Sequence, residues 1–101
     1  MEGVTKQMLG NDVIAAIAQA KTDFKFNRLR RHQGDMLIDP NVGRRGAELY
    51  EANVGEARAA DPLGKAGKRR LVLKVQSGQI TEMYFSDDHY RVGSWRRILD
   101  F

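Results

Sequence analysis

The chain predicts an α+β fold, two helices packed on one face of a three-stranded antiparallel β-meander, as a single small domain over residues 1–101. Three observations carry that expectation. Val13, Ile14, Ile17, Ala20 and Phe24 recur at three- and four-residue steps, the spacing of one helix face. From Leu71 onward the pattern changes to alternation, with Leu71, Leu73 and Val75 separated by Val72 and Lys74, followed by two further β-rich runs. The links between those runs are only a few residues long. Such links join neighbouring strands antiparallel, because a parallel pair needs a crossover of about a dozen residues or more.

Taken in order, Asn11 or Asp12 can cap the first helix, and Ala15, Ala16 and Ala18 favour it by propensity. From Asp23 to Arg31 helix and strand readings both stand, since Phe24 and Phe26 would share one strand face; a helix over about 11–31 is preferred. Residues 33–45 hold Gly34, Pro40 and Gly43 and read as a loop that turns Met36, Leu37 or Ile38 toward the core. A second helix fits 44–60, where Ala47, Tyr50 or Glu51, Val54, and Ala57 or Arg58 keep helical spacing against Gly46 and Gly55. Asp61-Pro62 ends it, and residues 63–67 form a flexible connector. The strands then run over Leu71 to Val75, Ile80 to Phe85 and Tyr90 to Trp95, with turns at Ser77-Gly78 and Asp87-Asp88-His89. Three strands cannot hide both faces of a sheet, so the helices should cover one.

Composition excludes several classes of function. The absence of cysteine removes disulfides, cysteine zinc sites and thiol catalysis. No apolar run approaches the roughly 18 residues of a membrane span, and the opening residues lack the order of a secretory signal. A cytoplasmic protein without a membrane contact is expected, and no motif calls for a cofactor or a metal. The formal net charge is +4, and all of the excess lies from Lys65 onward, where eight basic residues face four acidic ones; the first 64 residues carry nine of each sign. A basic sheet segment points to an acidic partner, a nucleic acid or an acidic protein surface.

Lys and Arg release counterions from phosphates, and exposed aromatic rings stack on unpaired bases. The candidate contacts are therefore Arg28, Arg30 and Arg31; Arg69 and Arg70; Arg91, Arg96 and Arg97; and the rings of Tyr84, Tyr90 and Trp95. Asp87-Asp88-His89 could serve a metal or an acid–base pair, yet Asp and His at such a position are more often turn residues. His32 with Asp35 and Asp39 could form a site with the first helix, but the composition favours a solvated loop. Gly43-Arg44-Arg45-Gly46 ahead of a helix has the makings of a small anion cradle, without the lysine and spacing of a nucleotide-binding loop.

The run from His89 to Leu99, Tyr-Arg-Val-Gly followed by an aromatic-arginine pair, resembles the strand pattern of the RelE-type ribosome-dependent ribonuclease toxins over 11 of the 101 residues. That resemblance implies a small basic protein with helices on an antiparallel sheet, and gives Arg91, Arg96 and Arg97 to RNA phosphate contact or charge stabilisation. It also implies an opening strand ahead of the helices and another strand after the motif, neither of which the patterning above supplies. Three functions follow from the residues. The first is a small basic module that binds nucleic acid or a nucleoprotein through a positively charged sheet face. The second is an inhibitory protein-interaction factor of the kind encoded by phages and mobile elements, with Trp95 or Tyr84 as anchor. The third is a metal-independent ribonuclease.

Overall fold

The computed structural model of the protein describes residues 1–32, 46–55, 68–91 and 93–101. Its elements are β1 (Glu2–Val4), α1 (Lys6–Leu9), α2 (Asn11–Lys25), β2 (Arg30–Arg31), β3 (Glu48–Asn53), β4 (Arg70–Gln76), β5 (Gln79–Ser86) and β6 (Trp95–Ile98). The strands form one sheet in the order β1-β6-β5-β4-β3-β2. All neighbours are antiparallel except β1 and β6, which run parallel with Val4 opposite Ile98. The expected three-stranded meander is therefore corrected: among the described residues the sheet has six strands and is mixed, and both helices precede β2.

The two central strands, β4 and β5, stand where their alternation put them. Ser77-Gly78 joins them with φ of 51° and 76°, the left-handed pair that suits the twist of a two-residue hairpin. The helix over 44–60 does not form across the described residues, because Glu48–Asn53 is a strand. Glu, Leu and Ala favour helix locally, but here Tyr50 pairs with Leu73 and Ala52 with Leu71, so ladder hydrogen bonds and core packing override propensity. Residues 44, 45 and 56–60 of that helix lie outside the described residues, as do the 33–45 loop with Met36, Leu37 and Ile38 and the 63–67 connector.

The first helix stops at Lys25 instead of continuing to Arg31. Asn27 takes φ of 57°, and the amides of Asn27 and Arg28 bond the carbonyls of Phe24 and Asp23, which is the left-handed Schellman ending with asparagine in the usual glycine position. The chain then leaves at an angle that lets Arg30 pair with Glu51. The last strand begins at Trp95 rather than Tyr90, since His89 and Tyr90 hold φ of 45° and 68° and extend the turn.

Two apolar clusters flank the sheet. Val13, Ile17 and Ala20 of α2 pack on Leu71, Leu73, Met83, Phe85 and Ile98. On the other face Leu49, Val72, Tyr84, Tyr90 and Trp95 form a second cluster. Burying each large side chain contributes about 1.5–3 kcal/mol. The strand ahead of the helices that the toxin resemblance implies is present as β1; no strand follows Ile98 among the described residues. No described helix is long and apolar enough to cross a membrane.

Candidate nucleic-acid interface

Edge strand β2 brings a cationic strip to the surface. Arg28, Arg30 and Arg31 face Asp23, Glu51 and Glu48 at 4.0, 3.4 and 4.0 Å, while their side chains stay 63%, 73% and 57% exposed. Ion pairs this long and wet contribute little, so the three guanidinium groups can exchange carboxylates for another anion at small cost. Beside them Phe26 is exposed, with the Arg28 guanidinium carbon 5.1 Å from its ring centroid. A cation–π pair at an open site is worth about 0.5–1 kcal/mol.

A groove of about 680 Å³ opens next to this strip, between α2 and the outer edge of β3. Its helix wall is Ala16, Gln19, Ala20 and Asp23, spaced so that all four share one face. Its strand wall is Glu51, Ala52 and Asn53, and Arg28, Arg30 and Arg70 add positive charge. The groove exists because β2 ends at Arg30 opposite Glu51, so no described strand covers Ala52 and Asn53.

Glu51, on the groove wall, is the hub of a polar cluster. His32 Nδ1–H donates to Glu51 Oε2 at 3.0 Å, the Tyr90 hydroxyl donates to the same oxygen at 2.9 Å, and Arg30 stands 3.4 Å from the other oxygen. Burial alone would raise the Glu51 carboxyl, but the His32 and Tyr90 hydrogen bonds and the Arg30 charge outweigh it and hold the group below the usual carboxylate range. Burial, and then the Glu51 charge it faces, pushes the Tyr90 phenol well above its ordinary value and keeps it protonated. The His32 side chain is buried, its ring 4.9 Å from that of Tyr90, and Nε2 has no hydrogen-bond partner among the described residues. A matching arrangement occurs further along the sheet: Glu82 accepts from the Tyr84 hydroxyl and pairs with Lys74 at 3.3 Å and Arg97 at 3.4 Å.

The remaining candidate residues are scattered. Arg69 reaches to Asp12 of α2, and its carboxylate partner is held low by that guanidinium. Arg70 is buried opposite Asn53 and Ser86 and donates to the Arg69 carbonyl at 2.9 Å. Arg96 lies on the helix-side face opposite Phe85 and 3.6 Å from Glu2, whereas Arg97 lies on the other face opposite Tyr84. Neighbours along a strand point to opposite faces, so Arg69 with Arg70, and Arg96 with Arg97, do not make one patch. Arg91 is exposed and bonds Asp88 at 3.3 Å. Tyr84, Tyr90 and Trp95 are buried in the second core, which corrects the expectation of rings open to stacking.

Asp87, Asp88 and His89 lie in the turn after β5, where Asp88 also pairs with Lys68 at 3.9 Å. No three His, Asp or Glu side chains converge as metal ligands among the described residues. Asp35, Asp39 and the segment from Gly43 to Arg45 lie outside them. Sequence reasoning missed Glu51 and Phe26 as members of the site. The signal for Glu51 was masked by helix-compatible neighbours, and Phe26 was absorbed into a helix that ends before it. Comparison of the chain with protein-family models, curated proteins and solved structures returned no match.

Proposed function

We propose that the protein binds single-stranded nucleic acid along the β2 edge, with Arg28, Arg30 and Arg31 on phosphates and the Phe26 ring as a stacking platform. The observation that supports it is the coincidence, along one short edge, of an exposed ring, an adjoining groove and three exposed guanidinium groups, of which Arg30 leaves β2 toward the Glu51 face and Arg31 toward the Tyr50 face. Backbone neutralisation by Arg plus base stacking on an aromatic ring is the pattern by which proteins hold unpaired strands. The strip is at an edge and not on a broad sheet face, so it suits one strand better than a duplex groove.

The test is fluorescence anisotropy with short labelled RNA and DNA oligonucleotides over a salt series. Affinity should fall linearly in log salt, with a slope of about 0.7 for each phosphate neutralised. Binding that ignores salt, or survives Arg28→Glu with Arg30→Glu, overturns the reading.

A second reading, RNA cleavage, is favoured by the Glu51 cluster on the wall of the same groove. Glu51, oriented by His32, would take the proton of a ribose 2′-hydroxyl as that oxygen attacks the neighbouring phosphorus. Arg30 and Arg70 would offset the charge gathering on the phosphoryl oxygens, and water in the open groove would protonate the departing 5′-oxygen. The chemistry needs no metal, so cleavage should persist in chelator, and Glu51→Gln should abolish it while oligonucleotide binding remains. Intact RNA after prolonged incubation with wild-type protein leaves binding as the whole function.

A further inference from the structure

We infer that the cavity at the end of α2 is a binding site for an organic cation, an alkylammonium or guanidinium headgroup, held between the Phe24 and Tyr50 rings and the Glu48 carboxylate. The site does not depend on the nucleic-acid reading above, which stands or falls with Arg28 and Arg30.

The cavity follows from where the helix stops. Glu48 and Tyr50 share one face of β3, opposite Val75 and Leu73 of β4, and Leu73 belongs to the core that packs on α2. Helix α2 ends at Lys25, and Phe24 in its last turn is what the helix contributes to the lining. What remains is a hollow of about 370 Å³ whose most buried wall is Val75, 5% exposed. Gly46 and Gly78 also line it, and nothing lies within 4 Å of the place a Cβ would take at either, so these two turns leave the hollow open.

The chemistry of the walls selects a cation. Phe24 and Tyr50 meet edge to face, with centroids 5.7 Å apart and planes at 71°, so two aromatic rings form a corner of the cavity. Aromatic rings attract organic cations, more strongly where water is displaced. The third group is anionic. The Tyr50 hydroxyl donates to Glu48 Oε2 at 2.8 Å and orients the carboxylate; that bond, and then burial, pushes the phenol above its ordinary value and keeps it the donor. The other carboxylate oxygen faces Arg31 Nη1 at 4.0 Å, with both side chains more than half exposed. A contact that long and wet is worth little, so an incoming cation can take the carboxylate from Arg31. An anion would be repelled by Glu48, and a neutral apolar guest would strip water from that carboxylate without replacing it. The volume lies at the lower end of the range for small-molecule sites and suits one headgroup with a short alkyl stem. Such a headgroup is carried by free amines and by the lysine and arginine side chains of other polypeptides alike.

The experiment titrates choline and the blocked amides of lysine and arginine into protein with isotope-labelled aromatic rings, at fixed ionic strength, beside the neutral alcohol in which carbon replaces the choline nitrogen. At least one of the cations should shift the Phe24 and Tyr50 ring resonances and leave those of Tyr84 and Trp95, in the cluster on the other face of the sheet, unmoved. Glu48→Gln should weaken that binding by about tenfold, the scale of a hydrogen bond to a charged group, and Glu48→Asp should recover part of it. Glu48 is exposed, so both variants should keep the wild-type spectrum elsewhere. Glu2→Gln removes the same charge from β1, at the opposite edge of the sheet, and should bind as the wild type does. Binding of choline alone assigns the site to a free ammonium ligand, and binding of either blocked amide extends it to a polypeptide side chain. Rings that no cation moves, an alcohol that binds as well as choline, or an affinity unchanged in Glu48→Gln overturns the site, whatever oligonucleotides do at Arg28 and Arg30.

Discussion

The Tyr90 hydroxyl donates to Glu51 Oε2 at 2.9 Å across 39 residues of chain, tying the loop after β5 to the strand beside the cationic edge. Tyr90 holds a left-handed backbone, φ 68°, that a bulky residue does not adopt without compensation. Its ring packs 5.7 Å from Trp95 and 4.9 Å from His32, and its hydroxyl bonds a carboxylate, so the loop is fixed by tertiary contacts against its local preference.

Tyr90→Phe keeps the ring and removes only that bond. Hydrogen bonds to charged partners are worth about 1.5–3 kcal/mol, and the urea midpoint should fall accordingly without a change in the slope of the transition. Loss of one donor should also raise the Glu51 pKa. An unchanged midpoint would mean that packing alone holds the loop.

Acid should weaken the fold through Glu51 and Glu82. Both carboxyls titrate below their ordinary 4.5 in the folded protein, Glu51 because His32, Tyr90 and Arg30 outweigh burial, and Glu82 chiefly because of the Tyr84 hydroxyl with Lys74 and Arg97. A carboxyl depressed on folding contributes stability that is complete above its unfolded pKa and is lost as pH falls through the folded one. Stability should therefore hold from neutrality to about pH 5 and decline below 4.5. Glu51→Gln should be less stable at neutrality and flatter in that acid range. A wild-type curve that stays level to pH 3 would contradict the cluster.

Trp95 is the only tryptophan and is 3% exposed, so its fluorescence reports on the second core alone. Native emission should be blue-shifted and resistant to iodide, and unfolding should shift it red. Adding oligonucleotide should leave it nearly unchanged, because the ring cannot stack on a base without leaving Leu49, Val72 and Tyr84. Trp95→Ala should cost about 3–5 kcal/mol. Strong quenching on binding would place the interface on that face of the sheet.

The hairpin between β4 and β5 carries a small correctable strain. Ser77 has φ of 51° in a turn whose first position favours asparagine, and its side chain is exposed. Ser77→Asn should raise stability by about 0.5–1 kcal/mol, read as a higher melting temperature. A fall would show that the turn geometry in solution differs.

The sheet's centre was legible in the sequence because β4 and β5 are adjacent in the chain, so alternation and a Ser-Gly turn sufficed to place them. Helix α2 was legible in its apolar stripe, although Gly10 and not Asn11 or Asp12 holds the N-cap position, and its end was signalled by Asn27, whose capacity for the left-handed ending was outweighed by the apolar Phe24 and Phe26. The rest depends on distant pairing. β1 has three residues and no pattern of its own; it is a strand because Val4 meets Ile98. β3 reads as helix and becomes strand only between β4 and β2. The candidate site follows the same rule, for Arg28, Arg30 and Arg31 are a cluster in the sequence itself, while Glu51 has helix-compatible neighbours and only its strand sets it beside His32 and Tyr90.

The position of the cations separates an edge-bound strand from a ligand on the sheet face. Arg28 and Arg30 line the same groove, and their partners are loose and wet. Arg96 and Arg97 point to opposite faces, each against its own carboxylate, Glu2 and Glu82. One strand cannot engage both at once, so Arg96→Glu with Arg97→Glu should reduce affinity only a few-fold, through the general loss of positive charge. Arg28→Glu with Arg30→Glu should reduce it by more than about tenfold and lower the salt slope by about 1.4, the share of two phosphates. Neither pair should move the thermal transition far, since exposed ion pairs contribute about 0–1 kcal/mol. Were the reversal at Arg96 and Arg97 the more damaging one, the nucleic acid would have to lie across β6, and the β2 edge would be a solvated rim.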